Sequence, residues 1–110
     1  MADARFDAFI QGIRGAASLS SRQKADVEQH LESIAQAFPD LEAANPQAAQ
    51  SILNFLACAL YESSRFDRST PLATQARKGM LLSFRAVEET HPQLAARAYA
   101  FGDILAAIGV

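Results

Sequence analysis

The sixteen residues from Pro46 to Tyr61 carry no charge, although 20% of the 110-residue chain is charged. Wound as an α-helix at about 100° per residue, this run places its large apolar side chains on one wide face. The members of that face are Ile52, Leu53, Phe55, Leu56 and Leu60. Asn45 can cap the helix, and Pro46 suits its first position, where an N–H would have no partner. The rest of the chain must cover this face.

The composition favours an all-α fold. Alanine occurs 23 times, and no window alternates apolar and polar residues over the length of a strand. Half of the residues are hydrophobic, which is enough to build a core in a chain of this length. We therefore predict one domain over residues 1–110, folded as a bundle of about five helices.

Capping signals divide the chain into these helices. Proline follows a potential cap at Asn45, Thr70 and His91, so each of these positions is predicted to begin a helix. Further starts are Asp3 and the pair of Ser20 and Gln23, whose spacing is that of a capping box. The fourth helix is expected to run to about residue 89, and Gly109 to end the fifth.

Pro39 is predicted to end the second helix at Phe38 or just before it. Proline has no N–H to donate and disfavours a helical conformation of the residue that precedes it. Residues 40–44 are then a connector, with Leu41 folded back onto the core. The apolar stripe of the helix consists of Val27, Leu31, Ile34 and Phe38.

The last two helices each have a recognisable inner face. For the fourth we expect Ala73, Ala76, Met80, Phe84 and Val87, widened by Leu72, Leu81 and Leu82. For the fifth we expect Leu94, Ala98, Phe101, Leu105 and Ile108, with Leu105 fully buried. Beside this stripe lies a line of small residues where a neighbouring helix could approach closely: Ala95, Gly102 and Ala106.

The C-terminal tail, residues 91–110, contains a motif. Its residues are His91, Pro92, Leu94, Ala95, Asp103, Leu105, Ala106 and Gly109, with Val110 at the end. This tail resembles the end of a bacterial family of small helical proteins of unknown function, which finishes in His-Pro-x-Leu-Ala, then Asp, then Leu-Ala-x-x-Gly-Ile. The resemblance implies a bacterial source and a helical fold. It implies no activity, since the family has none to carry over.

Two small clusters in the sequence could hold a ligand. Glu88 and His91 form a Glu-x-x-His pair, a spacing that serves metal binding in di-iron bundles. A complete site needs a second pair and two more carboxylates, and Pro92 places the histidine at a helix boundary; a histidine at a helix end beside solvated glutamates is therefore the main interpretation. Arg65 and Arg68 flank the start of the fourth helix, where free N–H groups also favour an anion. Pairing with the acidic half of the chain explains the same pattern.

Charge and cysteine content argue against several classes of protein. The net charge of −2 gives no basic footprint for nucleic acid. Cys58 is the only cysteine, so neither an internal disulfide nor a thiolate metal cluster can form, and it has no base at i±3 or i±4 to make it a nucleophile. The Pro46–Tyr61 run is too short to span a bilayer. We predict a cytoplasmic protein without nucleic-acid, membrane or cofactor partners.

The leading functional hypothesis is a small non-enzymatic protein-interaction domain that associates with itself. The central helix has an uncharged polar face, and the last helix has just Arg97 and Asp103 as charges, whereas solvent-facing helix sides usually carry more. Cys58 is expected to be shielded by another helix or subunit. The candidate interface residues are Gln50, Asn54, Tyr61, Ala95, Gly102 and Ala106. The alternative is a ligand-binding bundle that holds a metal at Glu88 and His91 or a phosphate-type anion at Arg65 and Arg68.

Overall fold

The computed structural model describes residues 3–108, which form five α-helices and no strand. The helices are α1 (Ala4–Arg14), α2 (Ser21–Ala44), α3 (Pro46–Ser64), α4 (Thr70–Arg85) and α5 (Pro92–Ala107). The radius of gyration, 13.0 Å, is the value expected of one compact domain of this length. The prediction of an all-α, single-domain bundle of about five helices is confirmed. The predicted stop at Gly109 lies outside the described residues.

The predicted caps fix most of the helix starts. Ser20 and Gln23 form the capping box in both directions, with N–O distances of 2.9 and 3.1 Å. The Asn45 side chain accepts a hydrogen bond from the Ala48 N–H at 3.1 Å, directly before Pro46. The cap of the fourth helix lies one residue before the predicted cap, Thr70. Ser69 occupies this position, and its side chain forms no capping hydrogen bond. The helix also ends at residue 85, earlier than expected.

Pro39 does not stop α2, so that prediction was wrong. The helix continues for five residues beyond it and ends at Ala44. Two interactions hold the added turn. Leu41 continues the buried stripe and is fully buried, which contributes up to about 2 kcal/mol. Glu42 receives hydrogen bonds from the guanidinium of Arg5, which ties the last turn of α2 to α1. Together they offset the backbone hydrogen bond that proline cannot donate.

The helix α2 lies at the centre of the fold and packs against α1, α3 and α5. Its whole apolar stripe is inaccessible to solvent: Val27, Leu31, Ile34, Phe38 and Leu41. The helix α4 packs against α3, to which the short connection 65–69 joins it. The helix α5 closes the bundle against α2 and α4. Leu105 is 1% exposed, as expected.

A glycine sets the approach of α4 to α5. A Cβ placed on Gly102 would come within 2.9 Å of Leu81 Cδ2, closer than real side chains tolerate. Leu81 therefore packs into the notch that the missing side chain leaves. A close contact was expected along the line of small residues on α5. The residue that makes it, Leu81, belongs to α4 of the same chain.

Candidate interaction surface

The exposed large hydrophobic residues of the described chain are confined to one region of the sequence. They are Phe55, Tyr61, Phe66, Leu72 and Leu82. All belong to α3, α4 or the connection between them, and no such residue is exposed on α1, α2 or α5 within residues 3–108. Clustering of this kind, unlike single scattered apolar residues, is typical of a contact surface.

The outward residues of the two helices form one surface, which we name the α3–α4 face. Its members are Phe55, Cys58, Tyr61, Leu72, Gln75, Gly79 and Leu82. Phe55 joins the two halves, because a Cβ on Gly79 would lie only 3.0 Å from Phe55 Cδ1. The aromatic ring thus lies across the glycine of α4, while Phe55 as a whole stays 45% exposed.

The helix α3 contributes an uncharged polar border to this surface. Gln50 and Asn54 are both exposed, and the amide Nε2 of Gln50 donates to Asn54 Oδ1 at 3.0 Å. Tyr61, one turn beyond Cys58, is 64% exposed. Cys58 itself is exposed, so the expectation that another helix of the chain shields it was wrong. Three of the residues predicted for an interface therefore lie on an accessible surface.

On α4, the structure corrects the predicted inner face. Ala73, Ala76, Met80 and Phe84 are buried as expected, but Leu72 and Leu82 are 52% and 63% exposed. These two leucines belong to a second stripe with 3-4-3 spacing: Leu72, Gln75, Gly79 and Leu82. The buried stripe occupies a different side of α4, so Leu72 and Leu82 stay open to solvent, whereas Gly79 lies against Phe55 of α3. The spacing of the second stripe is visible in the sequence, but the spacing does not say which of the two stripes the bundle covers. Phe55, assigned to the buried face of α3, is likewise half-exposed.

The small-residue line of α5 is not part of this surface. Ala95 is fully buried and Gly102 is covered by Leu81, so neither can touch a second copy. Ala106 is exposed at the end of α5. The assignment of Ala95 and Gly102 to an intersubunit contact was therefore wrong, because Ala95 has no exposed surface and Leu81 of α4 fills the approach that Gly102 allows.

The arginines at the start of α4 are bound by groups of the chain. Arg65 donates to Glu62 at 2.9 Å and to Asp67 at 3.0 Å. The hydrogen bonds that Arg65 donates to Asp67 and Glu62 raise its own pKa, and the guanidinium in turn lowers the pKa of Asp67. Arg68 donates to a main-chain carbonyl of α3 at 3.2 Å. An added anion would have to compete with two carboxylates, which does not favour the anion hypothesis.

The proposed metal pair also has partners of its own. The hydroxyl of Tyr99 donates to Glu88, and this hydrogen bond raises the pKa of Tyr99. His91 Nδ1 lies 2.9 Å from the hydroxyl of Thr90 at the start of α5. Residues 3–108 hold no group of three or more His, Cys, Asp or Glu side chains placed to bind a metal ion. The geometry gives the pair no additional ligand.

Comparison of the chain with protein-family models, curated proteins and solved structures finds no match. The resemblance of residues 91–110 to a bacterial family therefore stays an expectation. Across the described residues, no helix combines the length and apolar character needed to cross a membrane.

Proposed function

We propose that the chain is a small non-enzymatic interaction domain that self-associates through the α3–α4 face. The observation that carries this proposal is the confinement of all exposed large hydrophobic residues within 3–108 to α3, α4 and their connection. A two-fold contact brings the same patch of two copies together, so that patch must be complementary to itself. An apolar, uncharged face meets this requirement, and we therefore propose a second copy of the chain as its partner.

The size of the face supports a dimer contact. From their exposed fractions, the four large apolar members of the face offer roughly 400–500 Å². This reaches the size of the largest apolar patch on a typical monomer, about 300–600 Å², a kind of patch that is often functional. It also supplies about half of the ~800 Å² that each partner buries in a standard interface. The exposed polar border at Gln50 and Asn54 adds to this area.

The absence of charge on the face supports contact between identical copies. None of its seven residues is Asp, Glu, Lys, Arg or His. In a two-fold contact, a charge near the axis meets the same charge on the partner, which is destabilising. A face without such groups avoids this repulsion. Charged residues lie at its edges: Glu62 forms an ion pair with Arg65, and Lys78, Arg85 and Glu88 line a recess together with Leu82.

Substitution of the face tests the proposal. We expect sedimentation velocity to show a concentration-dependent dimer for the native chain. Phe55→Glu and Leu82→Glu should each leave a monomer, because two carboxylates would be brought together at the contact. Ala25→Glu is the matched control, since it adds the same charge on the exposed side of α2. Circular dichroism of each variant checks that the helices remain.

Cys58 gives an independent readout without mutation. Its thiol is exposed in the single chain, so a thiol reagent should label it rapidly in dilute protein and slowly in concentrated protein. A chain that is monomeric at hundreds of micromolar would contradict the proposal. So would dimers that persist in both Phe55→Glu and Leu82→Glu, since a different surface would then hold them.

A further inference from the structure

A recess lies between α2 and α5, two helices that contribute nothing to the α3–α4 face. Its volume is about 340 Å³, and its lining residues are Gln29, His30, Ser33, Ala96, Arg97 and Ala100. This volume lies in the range of small-molecule sites. The two alanines are one turn apart on α5 and are both exposed, so their short side chains leave the space open. No lining residue is acidic.

Arg97 is the fixed cation of the recess. Its Nη1 donates to the main-chain carbonyl of Ser33 at 2.6 Å, which anchors the guanidinium on α2 from its position on α5. The other N–H groups of Arg97 have no hydrogen-bond partner among residues 3–108, and no carboxylate in that range forms an ion pair with it. An anchored guanidinium with free donors can bind an oxyanion through two parallel hydrogen bonds.

One ring nitrogen of His30 forms a hydrogen bond within α2. Its Nδ1 lies 2.8 Å from the carbonyl oxygen of Asp26, one turn earlier in α2. Because a carbonyl oxygen can only accept, Nδ1 must carry the proton of this hydrogen bond. The other nitrogen, Nε2, is then free. It can accept a hydrogen bond from a P–OH group or, in its protonated form, donate one to a phosphate oxygen. A phosphate group can therefore form a hydrogen bond with Nε2 whether it presents a P–OH group or a deprotonated oxygen.

The charged surroundings of the recess are compatible with an anion. Asp26 faces His30 through its main-chain oxygen. Asp40 lines the neighbouring recess on the other side of Arg97, together with His91, and does not line this one. The amide of Gln29 and the hydroxyl of Ser33 add hydrogen-bond donors to the two basic side chains.

We propose that this recess binds a phosphate group, with Arg97 and His30 as its principal ligands. The guanidinium supplies charge and two aligned donors, and the imidazole supplies a proton donor or acceptor on the α2 side. The volume exceeds that of the phosphate alone, so the recess has room for the organic part of a small phosphate monoester against Ala96 and Ala100.

Titration with two probes, inorganic phosphate and phenyl phosphate, tests the site by NMR of the imidazole and guanidinium resonances. We expect shifts at His30 and Arg97 that saturate. Tighter binding of phenyl phosphate would assign a phosphate monoester, and equal binding would assign the free ion; either result supports the site. Acetate, which has the charge without the phosphate geometry, should bind more weakly.

Two conservative variants and one matched control complete the experiment. His30→Gln and Arg97→Lys should each weaken phosphate binding by about tenfold or more, because a lysine cannot form the paired hydrogen bonds. His91→Gln changes the other histidine near Arg97 and should leave binding unchanged. Circular dichroism confirms the fold of each. The proposal is overturned if neither probe shifts these residues, or if exposed arginines such as Arg22 respond equally. It is also overturned if both variants bind as the native chain does.

Discussion

Two helical glycines, Gly12 in the last turn of α1 and Gly102 within α5, allow the packing of α4 against α5 to be measured. Replacing a glycine by alanine inside a helix gains about 0.5–1 kcal/mol when nothing obstructs the new methyl group. At Gly12 of α1, a Cβ would have no neighbour within 4 Å. Gly12→Ala should therefore raise the free energy of unfolding by that amount.

At Gly102 the same change meets Leu81. The new methyl would lie 2.9 Å from Cδ2 and 3.2 Å from Cδ1 of that leucine, so the leucine side chain must move. Such overpacking costs about 1–3 kcal/mol, against a helix-propensity gain of about 1 kcal/mol. The net effect of Gly102→Ala should lie between zero and a loss of about 2 kcal/mol.

Urea denaturation at one fixed protein concentration measures both variants, since self-association would otherwise alter the apparent stability. A double-mutant cycle isolates the contact. In a Leu81→Ala background the obstacle is gone, so Gly102→Ala should become stabilising, by about as much as Gly12→Ala. The reasoning is refuted if Gly102→Ala stabilises the native chain as much as Gly12→Ala does, or if the two changes at 81 and 102 are additive.

Two further changes probe α2 and its contact with α1. Pro39→Ala should raise the free energy of unfolding by about 1–3 kcal/mol, because it restores an N–H that can donate to the Ala35 carbonyl; an unchanged urea midpoint would contradict this. Arg5 holds the pKa values of Asp3 and Glu42 below their ordinary values near 4, chiefly through side-chain hydrogen bonds. Since these pKa values are lowered by folding, the stabilisation is present above pH 4–5 and is lost as pH falls through the lowered values. The urea midpoint should therefore fall between pH 5 and pH 3, and less steeply in Arg5→Gln; equal slopes would count against the pairing.

Helix starts could be predicted from the sequence because they depend on local chemistry. The capping box at Ser20 and the Asn45–Pro46 start involve groups within three residues of each other, so no tertiary information is needed. The end of α2 could not be predicted in the same way. The local penalty at Pro39 is outweighed by the burial of Leu41 and by an ion pair to Arg5, 37 residues from Glu42.

The candidate surface could be predicted only in part. The lack of charge on α3 indicated a contact surface, and Gln50, Asn54 and Tyr61 are exposed there. The contribution of Leu72 and Leu82 was missed because α4 has two apolar stripes, and sequence alone does not say which one the bundle covers. The recess between α2 and α5 was not foreseen either, since it depends on the distant contact between Ser33 and Arg97.

That contact has a consequence for synthesis of the chain. Ser33 and Arg97 are 64 residues apart, and α2 packs against α5 along the same side. At about 5–20 residues per second, several seconds pass between the synthesis of α2 and the synthesis of α5, the helix that covers it. The pair α3 and α4, joined by five residues, can form its contacts during this interval. The side of α2 that awaits α5 is then the apolar surface that a nascent-chain chaperone would meet.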